Sequence, residues 1–324
     1  MKLILAPLQG ITNCIFRRVY HKHFPCFDYA VAPFVSPNAT KIGASLFNDL
    51  LAKENENGIA LEPQVLLNNP DVLYPFLDKI YGLGYKKINV NMGCPAQVVV
   101  KKNKGAALLE HPDLADSILK KISADSRFEF SVKLRLGMIS KDKIFDILPI
   151  IAKYGASEII LHPRTAQMQY SGDADLEKFA EVAQKTSLKI IYNGDIFSLA
   201  KYRKIISLFG NAICGVMVGR GAVVNPLLSA IIKNGECPEN PKEKIRLFVE
   251  NLLEEYTKKY YGEIPVLGKM KETWKYLRFS FEGGDKKVKK ILKCNCIFSY
   301  KKHSDDVFEK TEFCEFCGMG NLEI

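Results

Sequence analysis

Eight short runs rich in Val, Ile and Leu recur through the first 220 residues, and helix-length segments separate most of them. The runs are KLILA (2–6), YAVAPF (29–34), EPQVLL (62–67), KINVNM (87–92), FSVKLRL (130–136), EIILHP (158–163), KIIYNG (189–194) and CGVMVG (214–219). Amphipathic stretches at 70–82, 112–123, 141–154, 175–184 and 198–208 lie between them. Parallel neighbours in a sheet need a connection of a dozen residues or more, usually a helix, so this alternation implies a parallel sheet. Eight such units in about 235 residues match the size of a (β/α)8 barrel. A doubly wound open sheet is the rival. It usually opens on a Gly-rich dinucleotide turn, and here that turn reads APLQGITN. Asn69 and His111 precede Pro70 and Pro112 as helix starts, Ser198 opens another helix, and Gly155 and Gly210 fall near helix ends.

After Asn234 the pattern changes. NGECPENPKEK (234–244) reads as a linker, and 242–260 and 266–281 read as helices. The expected organisation is a catalytic barrel over 1–236, a small all-helical domain over 241–312 and a tail over 313–324. On the second helix Trp274, Leu277 and Phe281 share one face, and Lys271, Lys275 and Arg278 share another. Charge concentrates here. The chain carries a net +10, and Val266–Lys302 holds eleven Lys/Arg against three Asp/Glu. Such a field favours a polyanionic partner, although a solvated helix face has the same composition.

Other bulk properties exclude whole classes. No run of 18 apolar residues occurs, so no transmembrane helix and no membrane partner are expected. MKLILAPLQG reads as a first strand, not an export signal. The nine cysteines are an odd number without such a signal, which implies mostly reduced thiols and a cytoplasmic location. No obligate protein partner is evident.

A barrel carries its active site at the C-terminal ends of its strands. Seven of the eight runs hold polar residues there or close by: Pro7-Leu8-Gln9, Gln64, Asn89 and Asn91 with Cys94 beyond, Lys133 and Arg135, His162-Pro163-Arg164-Thr165, Asn193-Gly194-Asp195, and Gly219-Arg220. Polar groups in apolar strands are costly without partners, so their recurrence at one end implies a shared polar site. NGD (193–195) and GRG (219–221) follow the last two strands, where barrels often bind phosphate on glycine-exposed N–H groups, and Arg220 adds charge. Lys133 has three readings: a Schiff-base lysine, an ion-pair partner, or a cation beside the pyrimidine edge of a flavin. Gln64, Asn89 and Asn91 favour the third, because amides match a donor–acceptor edge. Cys94 sits on a Gly-Cys-Pro turn past the end of its strand, a position for a reactive group more than for a core thiol.

These segments resemble the tRNA-dihydrouridine synthases of bacterial type. APLQGITNCIFRR looks like the family's opening, VNMGCPA like its active-site signature, and VKLRLG, HPRTAQMQYSG, YNGDI and VGRGA follow in the family's order. KETWKYLRFSF resembles its C-terminal helical domain. The resemblance implies a (β/α)8 barrel with a helical domain, FMN as cofactor, NADPH or NADH as reductant, and reduction of the C5–C6 double bond of uridine in tRNA. It casts Cys94 as proton donor to C5. Pro7, Leu8, Gln9, Gln64, Lys133, Asn193, Gly194, Asp195, Gly219 and Arg220 match FMN positions. His162 and Arg164 match positions near flavin and substrate, and Asn91 one that faces the uracil. Leu8-Gln9 and Asn13 depart from the family's usual Met-Ala and Asp. The base must leave the tRNA stack, and Lys271, Lys275, Arg278, Lys101, Lys102 and Lys104 are candidates to hold the backbone.

The C-terminal CNC (294–296) and CEFC (314–317) pairs raise a four-thiolate zinc site, but only the second has ordinary zinc spacing, and no metal ligand is assigned. Two other functions compete: an FMN barrel reducing a free pyrimidine or other small enone, and a catalytically silent tRNA-binding module. The basic helical domain argues against the first, and Cys94 with a full flavin set against the second.

Overall fold

The computed structural model describes residues 1–37, 44–56 and 58–318. Its parallel strands are β1 (Lys2–Leu5), β2 (Tyr29–Val31), β3 (Leu61–Glu62), β4 (Gln64–Val65), β5 (Lys87–Met92), β6 (Glu129–Arg135), β7 (Ile159–His162), β8 (Ile190–Tyr192) and β9 (Gly215–Val218). They pair in the order β3-β2-β1-β9-β8-β7-β6-β5-β4. The two ends of that row are one extended segment. Pro63 has no N–H to give a ladder, so it splits the expected third strand into β3, paired with β2, and β4, paired with β5. Around it Ala32 N donates to Glu62 O at 2.9 Å and Asn89 N to Pro63 O at 2.8 Å. The sheet therefore closes, with eight strand positions around the barrel as the sequence implies.

Strand alternation divides the side chains. Leu3 and Leu5 pack outward in the main core, while Ile4 and Ala6 join Val31, Ile160, Ile191 and Met217 in a separate inner cluster. The other side of the interior is polar. Register places Gln64 beside Asn89, Asn89 beside Ser131 and Asn91 beside Lys133.

Helices Leu73–Gly82, Pro112–Ser123, Ile144–Lys153, Leu176–Lys185 and Leu199–Phe209 fall within a few residues of the expected stretches. Ser198 caps its helix by accepting from Lys201 N, and Asn69 accepts from Asp71 N, whereas His111 makes no side-chain cap. Asn13 is the N-cap of Cys14–His23, accepting from Phe16 N at 3.0 Å, so the departure from Asp keeps a good cap residue.

Four helices follow the barrel: Pro241–Lys259, Glu263–Leu277, Gly284–Lys293 and Ile297–Lys310. The first docks on the barrel helix Cys14–His23. Phe248 meets the edges of Phe16 and Tyr20 at 5.8 and 5.9 Å, and Arg18 pairs with Glu255 at 2.8 Å. Trp274, Leu277 and Phe281 are buried, and the Trp274 indole donates to Tyr300 Oη at 2.8 Å. Among the described residues no helix is long and apolar enough to cross a membrane.

The described part of the expected tail lies against the rest of the chain. Cys314 N and Cys317 N donate to Ser280 O and Phe279 O, Leu199 N donates to Glu315 Oε1, and the Phe316 ring stacks on Phe197 at 4.7 Å. Cys314 and Cys317 are bridged to each other, and the other seven cysteines are free. Cys294 is buried against Lys290 O and Ser299, and no cluster of three or more metal-ligating side chains forms among the described residues.

Candidate active site

The polar strand ends converge on a cavity of about 500 Å³ at the C-terminal mouth of the barrel. That volume suits a nucleotide-sized ligand. Pro7, Leu8 and Gln9 line it from the loop after β1, Gln64 from β4, Asn91 and Cys94 from β5 and its turn, Lys133 from β6, and His162 from β7. Asn193, Gly194 and Asp195 close it after β8, and Gly219 and Arg220 after β9.

The Cys94 turn is built by its neighbours. Asn91 Oδ1 accepts from Gly93 N at 3.1 Å and from Cys94 N at 2.9 Å, and Ala106 N donates to Cys94 O at 3.1 Å. Gly105 sits at φ +61, and a Cβ there would lie 2.7 Å from Cys94 O, so only glycine lets the two segments meet. Burial pushes the Cys94 thiol pKa above its ordinary value, opposed by the Ala96 amide, Arg135 and Lys133. The sulfur is thus an S–H at neutral pH. Asn91 lines the cavity, but both ends of its amide are engaged inward, the oxygen by the turn and Nδ2 by Gln64 at 2.8 Å.

Three features fit a large anionic or heterocyclic ligand. His162 Nε2 lies 3.3 Å from Arg164 Nη1, which can only donate, so Nε2 accepts. Burial and the nearby cations hold the imidazole neutral, with its pKa well below the ordinary value, and the ring proton therefore sits on Nδ1. That buried Nδ1 has no partner among the described residues. Lys133 likewise has no protein acceptor among the described residues, and desolvation aided by Arg135 lowers its pKa to about 7. Arg220 lines the cavity and spends one nitrogen on Asp195, at 2.8 Å. Gly221 lets this loop pack, since a Cβ there would lie 1.9 Å from Ile196 O.

Arg164 lies directly behind the cavity wall, beside His162 and Asp195, which line it. Its side chain is 2% exposed and absent from the cavity wall. The guanidinium grips Asp195 in a fork, Nη1–Oδ1 3.0 Å and Nη2–Oδ2 2.5 Å, and also donates to Gly172 O and Ser171 O. This grip fixes the NGD loop.

The cavity wall also holds Arg135, expected at the polar end of its strand but given no role there, and two tyrosines that the sequence reading did not single out. Arg135, two residues beyond Lys133 on the same strand face, reaches it while donating to Thr165 O and Gln169 O at 2.8 and 2.7 Å. Tyr170 stands between Arg135 and Arg220, whose guanidinium carbons lie 5.4 and 4.1 Å from the ring centre. Tyr276 reaches in from the helical domain. The period-two pattern of β6 already contained Arg135, whereas no local signal distinguishes Tyr170 or Tyr276.

The basic face is mixed. Lys275 pairs with Glu272 at 2.7 Å and Arg278 with Asp285 at 3.2 Å, while Lys271 has no carboxylate within ion-pair distance among the described residues. Lys104 is buried and donates to Ser36 Oγ at 2.9 Å, so it does not project beside exposed Lys101 and Lys102. Helix Gly284–Lys293 presents Lys286, Lys289, Lys290 and Lys293 to solvent, again without carboxylate partners among the described residues.

A sequence model described as dihydrouridine synthase matches residues 4–318. The chain is 25% identical over 311 residues to the tRNA-dihydrouridine(16) synthase of Vibrio parahaemolyticus, covering 91% of this chain and 92% of that protein. It is 29% identical over 305 residues to the tRNA-dihydrouridine(16) synthase of Haemophilus influenzae, covering 91% and 96%. It is 31% identical over 255 residues to the tRNA-dihydrouridine synthase B of Vibrio vulnificus, covering 76% of each.

Proposed function

The chain belongs to the dihydrouridine synthase family, and from that membership we propose that it reduces the C5–C6 double bond of uridine in tRNA, in the cytoplasm, with FMN as cofactor and NADPH or NADH as reductant. The observation that carries the reading is the placement of the Cys94 thiol on the wall of one cavity with Gln64, Lys133, His162 and Arg220. FMN would be held by Pro7, Leu8, Gln9, Gln64, Lys133, His162, Asn193, Gly194, Asp195, Gly219 and Arg220. The unpartnered His162 Nδ1–H and Lys133 support that fit. When bound and reduced, the flavin supplies the hydride for C6.

The protein's own part is acid chemistry. Negative charge developing at C5 needs a proton, and Cys94 gives it: the S–H bond breaks as C5–H forms, and the thiolate regains its proton from solvent. Raised thiol pKa keeps the donor loaded beforehand. Lys133 and Arg135, which pull that pKa down, stabilise the thiolate afterwards. Incubating the purified protein with FMN, NADPH and unmodified tRNA, with mass-spectrometric mapping of dihydrouridine, tests the reaction and reads its position. An enzyme that left tRNA untouched yet reduced a free pyrimidine or small enone would replace this reading with the small-substrate one.

Lys133 gives the site a pH signature. The free site loses the Lys133 proton above about pH 7, whereas an anionic ligand beside it favours the ammonium. Binding above that pH must therefore take up a proton. FMN affinity is expected to weaken by up to about tenfold per pH unit between roughly 7 and 9. Lys133→Met is expected to flatten that slope, as measured by fluorescence titration.

For the tRNA backbone we assign Lys271, Lys275 and Arg278 together with the exposed lysines of Gly284–Lys293. Every phosphate left without its cation lowers the slope of log affinity against log salt by about 0.7–0.9. Reversing Lys286, Lys289, Lys290 and Lys293 to Glu is expected to weaken tRNA binding at least tenfold at physiological salt and leave FMN affinity unchanged. An unaltered salt slope in a binding titration would remove this face from the assignment.

A further inference from the structure

A row of buried side chains runs down the barrel interior from the Cys94 turn, and its hydrogen-bond directions are all forced. Asn91 Oδ1 accepts two backbone N–H groups, so Nδ2 must be the end that donates to Gln64 Oε1, at 2.8 Å. Gln64 Nε2 must then donate to Asn89 Oδ1, at 2.6 Å, and Asn89 Nδ2 to Ser131 Oγ, at 2.6 Å. The Ser131 hydroxyl is left to donate to Glu62 Oε1, at 2.6 Å. All five side chains are buried. Burial raises Glu62 to about 7, and a carboxyl in either protonation state keeps an acceptor oxygen for Ser131.

We propose that Asn89, Ser131 and Glu62, none of which lines the cavity, are positioning residues for it: they lock the amide orientations of Gln64 and Asn91, and through Asn91 the turn that carries Cys94. The argument is one of polarity. If Ser131 Oγ is removed, the Asn89 amide has an orphaned buried donor; if Glu62 is removed, the orphan is the Ser131 hydroxyl, which finds an acceptor within the row only when Asn89 turns its oxygen toward it. Either way, turning Asn89 over sets Nδ2 against Gln64 Nε2, donor against donor. Turning Gln64 in response passes the same conflict to Asn91. There it stops, because Asn91 Oδ1 is held by the amides of Gly93 and Cys94, and relief requires loosening one of those bonds. Buried polar chains behave in this all-or-none way because each unmet group costs more than a met one gains.

The test uses two readouts, one of which does not depend on the flavin. Hydrogen exchange of the ligand-free full chain, read by mass spectrometry on a peptide containing Gly93 and Cys94, is expected to quicken about fivefold in Ser131→Ala and in Glu62→Leu, the loss of one net hydrogen bond. Glu62→Gln, which keeps an acceptor oxygen, is expected to stay within about twofold of wild type. A peptide from helix Ile144–Lys153 is expected to be unchanged in all three. Unchanged exchange at the Cys94 turn in both cutting variants would overturn the proposal. So would a uniform rise in every peptide, or a Glu62→Gln variant as fast as Glu62→Leu. The second readout builds on the FMN reading: FMN affinity is expected to fall about fivefold in the two cutting variants and to recover in Glu62→Gln. A wild-type chain that bound no FMN would sink that cofactor assignment and leave the exchange result to judge the positioning role.

Discussion

Cys94→Ala, supplied with FMN, NADPH and tRNA, is expected to turn over about 10²–10⁴ times more slowly than wild type, the usual contribution of a positioned general acid. The thiol sits on a turn whose backbone is held from three sides, by Asn91, by the Ala106 amide and by close packing on Gly105. Truncating the side chain leaves those bonds intact, so FMN affinity should change by less than about twofold. Cys94→Ser is the sharper variant. A serine hydroxyl fills nearly the same space but is a far weaker acid than a thiol, so shape is kept and proton donation is lost. Reduction of the bound flavin by NADPH should proceed normally in both variants, and its reoxidation by tRNA should be the slow phase in stopped flow. A Cys94→Ser enzyme that reoxidised on tRNA at the wild-type rate would show that the proton comes from elsewhere. In that event Lys133, with its pKa near 7, would be the next donor to examine.

The barrel was legible because seven of the eight strands announce themselves twice, by an apolar run and by a polar residue at one end. Residues two apart share a face, so Gln64, Asn89, Asn91, Lys133 and His162 point to one interior without any knowledge of pairing. What the pattern hid depends on contacts across the chain. Arg164 reads as a cation at the mouth, and only the approach of the loop after β8 shows that Asp195 claims it. The break at Pro63 is visible in the sequence, yet its consequence needs both neighbouring strands. Helix Gly284–Lys293 lay in a charge run that reads equally well as solvated surface, because only Val288 and Ile291 bury apolar side chains there. Tyr276 belongs to a helix that reads as a tRNA surface, and nothing local tells that one turn of it faces the barrel mouth.

Asp195 carries the largest expected stability effect. Its two oxygens serve Arg164, at 3.0 and 2.5 Å, and Arg220, at 2.8 Å, and Ala174 N donates to it at 3.2 Å. Arg164 and Arg220 side chains are only 2% and 9% exposed. Removing one member of a buried pair strands the other's charge, which typically costs about 3–5 kcal/mol, and here one carboxylate neutralises two guanidinium groups. The backbone constrains the choice of variant. Asp195 lies at φ +49, a left-handed conformation that Asn adopts readily and most other residues do not. Asp195→Asn therefore removes the charge without adding backbone strain, and its amide oxygen still accepts one donor. It is expected to lose about 2–4 kcal/mol, and Asp195→Ala about 1 kcal/mol more from the strained φ. For a chain of 324 residues a melting-temperature fall of about 3–6 °C corresponds to that loss. The mechanism makes a second demand. If stranded charge is the cause, Arg164→Met combined with Asp195→Asn should be less destabilised than the sum of the single variants, by more than about 1 kcal/mol in a double-mutant cycle. Additive losses would mean that Asp195 acts through its backbone and the Ala174 contact alone, and that Arg164 owes its burial to Gly172 O and Ser171 O.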